Sequence, residues 1–506
     1  MSDKLNIPES WAETNLQVLI DVRDGTHDSP KLIDEGVMFV TSKNLKSGSL
    51  SFEKCSYISQ ADHDKIKQRS EVARGDIIMA MIGTIGNPVI VDTDNEFSIK
   101  NIALFKKNKQ FEDLRYLKYF IDSPLFAEIV KNKKKGTTQK FLSLGVLRGL
   151  NFPVPAKKEQ FRIVEKIESC FSKINKTEAA LKKSEVLLSK YRESLLAKAF
   201  RGELIAQDPK DKPASELLKQ IKEEQAKKVK KKKKDSPPSF EDNLPFNIPD
   251  SWCGLSFIEL VYLRARIGWK GLKASEYTPE GPRFISVREF NPDGTISYGD
   301  SAHISQERYD ESPEIMLKEN DVLLCKDGST IGKVVIVKDL IEQSTVNSSI
   351  AVMTPFSGVD ANYLFYYLRA PIFQQLVQSR IKGAAIPHIF QKDLRALFIP
   401  LPPENEQKRI VAELDRCFTN INNLLETLKK LKALNSKQKE SILNNAFQGK
   451  LVPQIPEEGT GHELLEQILQ IKELEEIKKK AVKKKIIKKK VTKKKTANKK
   501  ATKKSK

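Results

Sequence analysis

The chain repeats itself, and this repeat constrains the fold more than any other feature of the sequence. Phe152-Pro153-Val154-Pro155 returns as Ile399-Pro400-Leu401-Pro402, about 247 residues later. Ala199-Phe200-Arg201-Gly202 returns at the same distance as Ala446-Phe447-Gln448-Gly449. A chain of 506 residues is long enough for two domains with separate hydrophobic cores. The duplication therefore predicts two similar halves related by a rough two-fold axis.

The first part of each half is a mixed segment, at roughly residues 5–153 and 246–400. Short apolar runs rich in Ile and Val, separated by Gly, Asn and Asp, are typical of strands and turns. In each half we also expect one short amphipathic helix, at about 112–131 and 359–379. The pattern predicts a compact α+β domain in each half.

The second part of each half is one long helix without proline or glycine in its interior. Pro155 precedes the first of these helices and Gly202 follows it, and these are positions where helices tolerate proline and favour glycine. Apolar residues recur in both helices with seven-residue spacing, which indicates a coiled-coil seam. The first stripe is Ile167, Ile174, Leu181, Leu188 and Leu195, and the second is Leu414, Ile421, Leu428, Asn435 and Ile442.

One member of the second stripe, Asn435, is polar. A polar residue in a coiled-coil core can fix the register of the helices at some cost in stability. It can equally mark a locally hydrated position, and the sequence leaves both interpretations open.

The first long helix, at about residues 160–200, would span ~60 Å at ~1.5 Å per residue. Antiparallel packing of the two helices, with a mixed domain at each end, is the economical arrangement. The predicted fold class is α+β, with two similar mixed α/β domains separated by two long antiparallel coiled-coil helices in a pseudo-two-fold internal repeat. The predicted segments are a first mixed domain (1–155), a long helix (156–203), a linker with a lysine run (204–245), a second mixed domain (246–402), a second long helix (403–450), a C-terminal helical segment (451–477) and a disordered lysine-rich tail (478–506).

The formal net charge of +22 is concentrated in two lysine tracts. The tail 478–506 holds 17 lysines and no acidic residue, and the run 227–234 holds 7 more. Without these tracts the net charge is close to zero, so a DNA-binding face would have to be a local patch. Lysine tracts of this kind are usually solvated, and they attract phosphates without reading sequence.

Motifs for catalysis and metal binding are not found. The five cysteines include no CxxC pair, and the five histidines have no HxxxH or HExxH spacing. The segment 328–334, Gly-Ser-Thr-Ile-Gly-Lys-Val, resembles a phosphate-binding loop, but it is one residue short and Val334 replaces the hydroxyl residue that holds magnesium. A β-turn is the favoured interpretation there. The sequence predicts no catalytic residue, no metal ligand and no cofactor bound by this chain.

The sequence also predicts where the chain resides. No apolar stretch is long enough to cross a bilayer, and the N-terminus lacks the pattern of a signal peptide. We therefore expect a cytoplasmic protein without a membrane partner.

Double-stranded DNA has two-fold axes, so a duplicated chain suggests a DNA partner. Lys and Arg are expected to contact phosphates, and Arg, Lys, Asn and Gln to contact bases. For each candidate, a solvated loop residue is an equally good interpretation. The first candidates are two loops at equivalent places, with Lys133, Lys134, Lys135, Thr138, Gln139 and Lys140 in the first half and Arg380, Lys382 and His388 in the second. The second candidates are Thr26, His27, Lys43 and Asn44 in the first half and Arg266, Lys270 and Arg288 in the second.

The motifs at the ends of the long helices resemble those of a known family. The segment 402–411, Pro-Pro-Glu-Asn-Glu-Gln-Lys-Arg-Ile-Val, opens the second helix, and the segment 446–451, Ala-Phe-Gln-Gly-Lys-Leu, closes it. Both are similar to segments of the specificity subunits of type I restriction-modification systems. The duplicated segment 199–204 fits the same family, and the resemblance covers about residues 5–465.

This resemblance implies a function for each part of the chain. Each mixed domain would be a target-recognition domain that reads one half of a bipartite, asymmetric DNA site, and the paired helices would set the spacing between the halves. Two modification subunits would dock on the helices and methylate adenine with S-adenosylmethionine. Restriction subunits would join them and use ATP and magnesium for translocation and cleavage. The chain itself would carry no catalysis.

Three other functions remain as alternatives. A self-contained enzyme, such as a fused methylase and nuclease, is disfavoured because its motifs are missing. A coiled-coil scaffold without a DNA role leaves the two elaborate mixed domains unexplained. The closest alternative is a specificity subunit of another multi-subunit restriction class.

Overall fold

A computed structural model describes residues 5–46, 48–83, 85–111, 113–131, 133, 141–228, 246–265, 272–340, 342–382, 387–395, 397–475 and 477, with the backbone alone at 224–228. The chain divides into two compact units. Unit 1 is Met1–Ala180 with Lys430–Lys506, and unit 2 is Leu181–Lys429. Both divisions fall within the long helices. Each unit therefore joins one mixed domain to the beginning of the long helix that follows it and to the end of the other long helix.

The strands of unit 1 form a four-stranded antiparallel sheet in the order β2-β10-β7-β8, a three-stranded sheet β6-β3-β9, and the pairs β1-β11 and β4-β5. In the three-stranded sheet, β3 runs parallel to β9 and antiparallel to β6. The strands are β1 (Ala12–Asn15), β2 (Asp21–Asp24), β3 (Val37–Val40), β4 (Leu45–Lys46), β5 (Ser49–Leu50), β6 (Ser56–Ile58), β7 (Ile77–Ala80), β8 (Gly86–Ile90), β9 (Phe97–Ile99), β10 (Ile102–Lys106) and β11 (Asn151–Val154).

The described strands of unit 2 repeat this arrangement, except for the pair β4-β5. They form the four-stranded sheet β13-β19-β16-β17, the three-stranded sheet β15-β14-β18 and the pair β12-β20. Here β14 runs parallel to β18, as β3 does to β9. The strands are β12 (Cys253–Ser256), β13 (Val261–Arg264), β14 (Tyr277–Ile285), β15 (Ala302–Ile304), β16 (Val322–Cys325), β17 (Val334–Ile336), β18 (Ser344–Val346), β19 (Ile350–Pro355) and β20 (Phe398–Leu401).

The four-stranded sheets are buried on both faces, which explains why their strands are apolar at consecutive positions. In β7, Ile77 and Met79 join the core cluster that includes the helices of unit 1. Their neighbours Ile78 and Ala80 face the opposite way and pack in a second cluster with residues of β3 and β9. Every residue of β16 is likewise buried. Each mixed domain is thus layered, with helices on one face of the central sheet and the three-stranded sheet on the other.

Apart from α1, whose place in the second half is taken by the 3-10 turn Phe257–Glu259, the helices recur in the same order in both halves. The described helices of the first half are α1 (Leu16–Leu19), α2 (Gln60–Ser70), α3 (Arg115–Ile121), α4 (Pro124–Lys131), α5 (Leu144–Arg148), α6 (Lys157–Ala199) and α7 (Ala214–Lys228). Those of the second half are α8 (Gln306–Asp310), α9 (Ala361–Arg369), α10 (Pro371–Ser379), α11 (Gln391–Arg395) and α12 (Glu404–Phe447), followed by a helical segment over 461–475.

The prediction of one amphipathic helix at about 112–131 and another at 359–379 was wrong, because each is a pair of helices. Pro124 and Pro371 occupy the first position of the second helix in each pair. A proline disfavours the helical conformation of the residue before it, and Ala370 is extended with ψ 145°. The Ser123 hydroxyl accepts a hydrogen bond from the Phe126 N–H at 3.2 Å and so caps the second helix of the first pair.

The long helices α6 and α12 end in the same way. Gly202 and Gly449 have φ values of +76° and +69°, in the left-handed region that glycine adopts at low cost. A Cβ on Gly202 would lie 2.3 Å from Pro249, and one on Gly449 would lie 2.2 Å from Pro8. These prolines belong to the segments 7–11, Ile-Pro-Glu-Ser-Trp, and 248–252, Ile-Pro-Asp-Ser-Trp, which are a further repeat in the sequence. Glycine is therefore required both for the turn and for the close approach of the mixed domain.

The same repeated segments also hold the beginning of each long helix. Trp11 donates its indole N–H to both carboxylate oxygens of Glu159 at 3.1 Å, and Trp252 donates to Glu406 at 3.0 Å. Burial raises the pKa of both glutamates. The next residue, Gln160, donates to the Pro155 carbonyl at 3.0 Å. The repeated Glu-Gln dipeptide thus fixes the first turn of each helix to its mixed domain.

Within each unit, the parts of α6 and α12 run antiparallel, as predicted. In unit 1, Lys439 near the end of α12 pairs with Glu178 of α6 at 2.8 Å. In unit 2, Arg192 near the end of α6 donates to Asn422 of α12 at 2.9 Å. Most residues of the predicted seam are buried, whereas Leu188, Leu428 and Ile442 are half-buried. The buried ones are Ile167, Ile174, Leu181, Leu195, Leu414, Ile421 and Asn435.

A short helix follows each long helix and docks on a mixed domain. Within the segment predicted as a linker, α7 buries Leu217 and Ile221 in the core of unit 2. At the C-terminus, the helix 461–475 buries Ile468 in the core of unit 1. The Gly461 N–H donates to the Ser10 carbonyl at 2.8 Å. Each unit is thereby closed by a helix that follows the end of a long helix.

Candidate nucleic-acid interface

Each mixed domain presents an exposed cation on a short 3-10 turn that follows a strand of the three-stranded sheet. The turn Ser42–Asn44 follows β3 and exposes Lys43, and the turn Val287–Glu289 follows β14 and exposes Arg288. Both cations are among the predicted DNA contacts. The structure shows that they occupy the same place in the two domains.

The residue after each cation holds its turn in place. The Thr41 N–H donates to the Asn44 side-chain oxygen at 3.0 Å, and the Asn44 amide donates to the Ser51 carbonyl at 3.1 Å. In the second domain, the Ser286 N–H donates to the Glu289 carboxylate at 2.7 Å. Both Asn44 and Glu289 are buried. Asn44, which we predicted as a DNA contact, is thus placed to support Lys43 rather than to reach a base itself.

His27 lies on the surface with both ring nitrogens engaged. Its Nδ1 is 2.9 Å from the Asn101 side-chain oxygen, and its Nε2 is 2.9 Å from the Asp24 carboxylate. Asp24 is buried and also pairs with Arg69 of α2. Thr26 is half-buried, and its hydroxyl accepts a hydrogen bond from the backbone within its own turn. The cluster therefore presents a fixed imidazole and an exposed guanidinium side by side.

The two candidate loops are described only at their ends. In the second domain, Lys382 and His388 exchange backbone hydrogen bonds of 2.9 and 2.8 Å, which closes the loop between them. Arg380 is half-buried at the end of α10. The Gly328 N–H donates to the Pro387 carbonyl at 2.8 Å, so Pro387 lies against the β16–β17 turn. Lys133, half-buried, is the one described member of the first loop.

In the first domain, the Leu142 N–H donates to the Met81 carbonyl at 2.9 Å, just before the β7–β8 turn. The chain that follows the first loop is therefore held beside the β7–β8 turn, as Pro387 is held beside the β16–β17 turn. The other predicted contacts, Lys134, Lys135, Thr138, Gln139, Lys140, Arg266 and Lys270, lie outside the described residues.

Arg69, Lys100 and Asn101 belong to the same surface as His27 and were not predicted. Lys100 pairs through its backbone with Thr26 in a parallel bridge, and its ammonium group contacts Ser29. None of the three has a local motif; strand pairing brings Lys100 and Asn101 to His27, and the packing of α2 brings Arg69 there. No sequence signal short of the full topology could have identified them.

The described residues hold neither a metal-binding cluster nor a membrane-spanning helix. Over these ranges, no group of three or more His, Cys, Asp or Glu side chains is placed to hold a metal ion. The segment 328–334 is a hairpin turn, with the Gly332 N–H donating to the Cys325 carbonyl at 3.0 Å. In the same part of the chain, no helix has both the length and the apolar character needed to cross a bilayer.

Comparison with known proteins agrees with this geometry. The family model for the type I restriction modification DNA specificity domain matches residues 8–184 and 276–435, more than half of the chain. The specificity subunit of the type I restriction enzyme EcoBI from Escherichia coli is 23% identical over 89% of this chain and 88% of its own length. That of MjaVIII from Methanocaldococcus jannaschii is 23% identical over 88% and 94%. That of EcoAI, also from E. coli, is 27% identical over 53% of this chain, and the match spans about half (46%) of that relative.

Two solved structures share the fold. One comes from work on complex assembly and conformational transition of the type I R-M system, with a TM-score of 0.63, 18% identity, and coverage of 88% of this chain and 100% of that chain. The other is the HsdS subunit from Thermoanaerobacter tengcongensis, with a TM-score of 0.50, 19% identity, and coverage of 88% and 98%. The family match, which covers more than half of the chain, shows that the chain belongs to the DNA specificity subunits of type I restriction-modification systems.

Proposed function

We propose that the two mixed domains read the two halves of a bipartite, asymmetric DNA site. The observation that supports this most directly is the exposed cation on equivalent turns, Lys43 in one domain and Arg288 in the other. The two turns have the same place in the fold but carry different cations, as expected for two domains that read different half-sites. Arg can bind guanine through two parallel hydrogen bonds, whereas Lys acts as a point charge.

The long helices would carry the partner subunits. Large apolar side chains are exposed on them outside the mixed domains, among them Leu187 and Leu424 in unit 2 and Leu434 in unit 1. Exposed apolar side chains on a helix pair favour a protein partner. In this proposal two modification subunits dock there, and restriction subunits join the complex.

The chemistry would then belong to the partners. The modification subunits would bind S-adenosylmethionine and methylate adenine, and the restriction subunits would use ATP and magnesium. The specificity subunit would contribute DNA recognition and spacing in the cytoplasm, without catalysis of its own.

Coexpression of the chain with the modification subunit encoded beside it tests this function. Single-molecule methylome sequencing of the host DNA should show methylated adenines in one split motif, with two specified parts separated by an unspecified spacer. Omission of the specificity chain is the control and should abolish the motif. Absence of methylation with an assembled complex would contradict the proposal.

Substitutions in each mixed domain then assign the half-sites. Lys43→Ala and Arg288→Ala should each weaken binding of the methylated-motif duplex and reduce the slope of log K against log salt by about 1. Lys176→Ala, an exposed lysine of α6, is the matched control and should leave the slope unchanged. Gln139→Ala with Lys140→Ala should relax one half-site without unfolding. If neither affinity nor the methylation pattern changes, the corresponding turn or loop does not contact DNA.

A further inference from the structure

An aromatic ring is exposed on the second mixed domain directly after the candidate loop. Phe390 follows His388, whose backbone pairs with that of Lys382, and Phe390 is 45% exposed. The His388 ring lies edge-on to it, with the ring centroids 4.6 Å apart. The ammonium groups of Lys382 and Lys392 each lie 5.7 Å from the Phe390 centroid. An apolar ring thus stands at the surface beside two cations.

Phe390 lies at the same edge of the domain as the turn that carries Arg288. The N–H of the preceding residue, Ile389, donates at 3.0 Å to the carbonyl of Lys326, directly after β16. The Lys326 N–H donates at 2.8 Å to the three-residue turn between β18 and β19. The same turn donates at 3.0 Å to the carbonyl of Ile285, the last residue of β14, and the Arg288 turn follows β14. These backbone hydrogen bonds join the strand ends into one edge, so Phe390 belongs to the candidate nucleic-acid interface.

Phe390 also occupies a position where a polar residue would serve the fold better. Its carbonyl accepts the Leu394 N–H at 3.1 Å, so it is the N-cap residue of α11 and has no side-chain acceptor for the first turn. The equivalent residue of the first domain is Ser143, whose hydroxyl accepts the Val146 N–H at 3.4 Å at the start of α5. The second domain thus keeps an exposed ring where both the exposure and the missing cap cost stability. Such a local conflict is typical of a functional position.

The charges beside the ring do not by themselves select an anion. Asp327 pairs with Lys326, and Asp393 lies 3.7 Å from the ammonium group of Lys382. Lys392 adds a further exposed cation. An apolar ring with a small excess of positive charge around it matches a surface that offers apolar groups next to phosphates. The grooves of duplex DNA have this chemistry.

The surroundings of the ring select the kind of contact. A side chain that inserts between base pairs needs both faces of its ring free. The ring of Phe390 has the His388 ring against it and two ammonium groups near it, so it can offer only part of its surface. The apolar group that a base edge presents to such a surface is the C5 methyl group of thymine in the major groove.

We propose that Phe390 contacts a thymine methyl group in the half-site that the second mixed domain reads. The proposal rests on the proposed function and names a residue that determines its specificity. The first domain presents a different ring, Phe141, which is 39% exposed and occupies the place of His388. Phe141 bridges to Ile82 just as His388 bridges to Asp327. Aromatic rings at different positions of one framework suit domains that read different bases.

The test uses the complex of the full-length chain with the modification subunit encoded beside it. Each thymine of the methylated motif is replaced in turn by deoxyuridine, which lacks only the methyl group, and Kd is measured by fluorescence anisotropy. One replacement, in one half-site, should raise Kd about fourfold, as expected when one methyl group is no longer buried. Phe390→Ala should raise Kd for the thymine duplex by at least as much. The same replacement should then cause no further rise, because the two changes remove one contact.

Two further variants separate this contact from a role in folding. Phe390→Ser places the capping residue of the first domain in the second. It should abolish the effect of the methyl group while the thermal unfolding midpoint stays the same or rises. Tyr262→Ala is the matched control, since Tyr262 is 58% exposed and pairs with Thr354, toward the other end of β19. It should retain the fourfold difference.

Each outcome decides the proposal. If no deoxyuridine replacement changes Kd for the unsubstituted complex, or if the penalty persists in Phe390→Ala, the ring does not contact a thymine methyl group. Equal weakening of the motif and of unrelated DNA by Phe390→Ala would identify a contact to the backbone and also overturns the proposal. Lower thermal stability of both Phe390 variants with the penalty retained would assign the ring to the fold. Absence of any split methylated motif with the unsubstituted chain would instead remove the proposed function, and this contact with it.

Discussion

Asp76 in the first mixed domain and Asp321 in the second occupy the same place, directly before the central strand of the four-stranded sheet. Both are buried, and each accepts a backbone N–H from three residues earlier in the chain, at 2.8 and 2.9 Å. Their cations differ in kind and origin. Asp76 pairs with Lys106 of β10 at 2.6 Å, whereas Asp321 pairs with Arg264 of β13 at 2.9 Å. The equivalent buried carboxylates are thus neutralised from the adjacent strand β10 in the first domain and from β13, one strand further across the sheet, in the second.

This difference between the domains indicates which parts of the repeat are fixed by packing. The backbone, the apolar layers and the groups that cap turns recur in both halves. The cations differ between the halves. Lys43 and Arg288 differ in residue type at the same place on the surface, and the buried Lys106 and Arg264 differ in residue type and in strand. A charge can be supplied from several directions, because attraction is less directional than packing. The framework can therefore persist while the surfaces available to DNA and to partners diverge.

The largest expected effect tests whether the end of each long helix belongs to the core of its unit. Phe447 contacts the rings of Tyr116 and Phe120, and Phe200 contacts those of Tyr363 and Tyr367. Because both phenylalanines are fully buried, Phe447→Ala and Phe200→Ala should each lower the free energy of unfolding by about 3–5 kcal/mol. Denaturant unfolding measures the size of the effect.

Hydrogen exchange shows which unit each substitution destabilises. Phe447→Ala should raise exchange in β7 and β10 of unit 1, and Phe200→Ala should raise it in β16 and β19 of unit 2. The exposed Leu187 of α6 provides the control, since Leu187→Ala should cost less than about 0.5 kcal/mol. Exchange that rises equally in both units would show that the halves of the core are not separate.

An intermediate effect is expected from the two buried ion pairs. The Arg264 side chain is 7% exposed and that of Lys106 is 19% exposed. Arg264→Met should therefore cost more, about 3 kcal/mol, because it leaves a deeply buried carboxylate without its cation. Lys106→Met should cost about 1–2 kcal/mol, since water can reach Asp76 more easily. Urea unfolding of the two variants measures the difference.

A second substitution separates loss of the pair from loss of packing. Asp321→Asn together with Arg264→Met removes both charges, and it should recover part of the stability lost in Arg264→Met alone. Equal costs for the two single variants would mean that the direction from which the cation comes has no energetic consequence.

The long helices could be predicted from sequence because their signal is local and repeated. Seven-residue spacing and glycine at the ends specify a helix without knowledge of its partner. Each predicted short helix is in fact a pair of helices divided at Pro124 or Pro371. The division was missed because apolar residues continue across both prolines. The docking of the helix 461–475 was missed because its partners lie in the first 20 residues of the chain and at the ends of the long helices.

The residue types of the candidate interface could be predicted from sequence, but not which residues lie together. Exposed cations near turns can be read from composition, so Lys43 and Arg288 were selected. That Asn44 is buried and that Arg69 stands beside His27 depend on the tertiary fold. Residue type alone cannot separate a polar side chain that supports a turn from one that faces a ligand.

The smallest expected effect concerns the one polar member of the helix seam. Asn435 in α12 is equivalent to Leu188 in α6, and it is buried with no acceptor for its Nδ2 among the described residues. Asn435→Leu should raise the free energy of unfolding by about 1 kcal/mol, because a poorly satisfied amide leaves the core. The matched substitution, Leu188→Asn, should lower it by about the same amount or more. If Asn435 instead fixes the register of the helices, Asn435→Leu should produce several exchanging species in size-exclusion chromatography and broadened unfolding. A single species with lower stability would contradict both interpretations and would show that the amide is fully satisfied in solution.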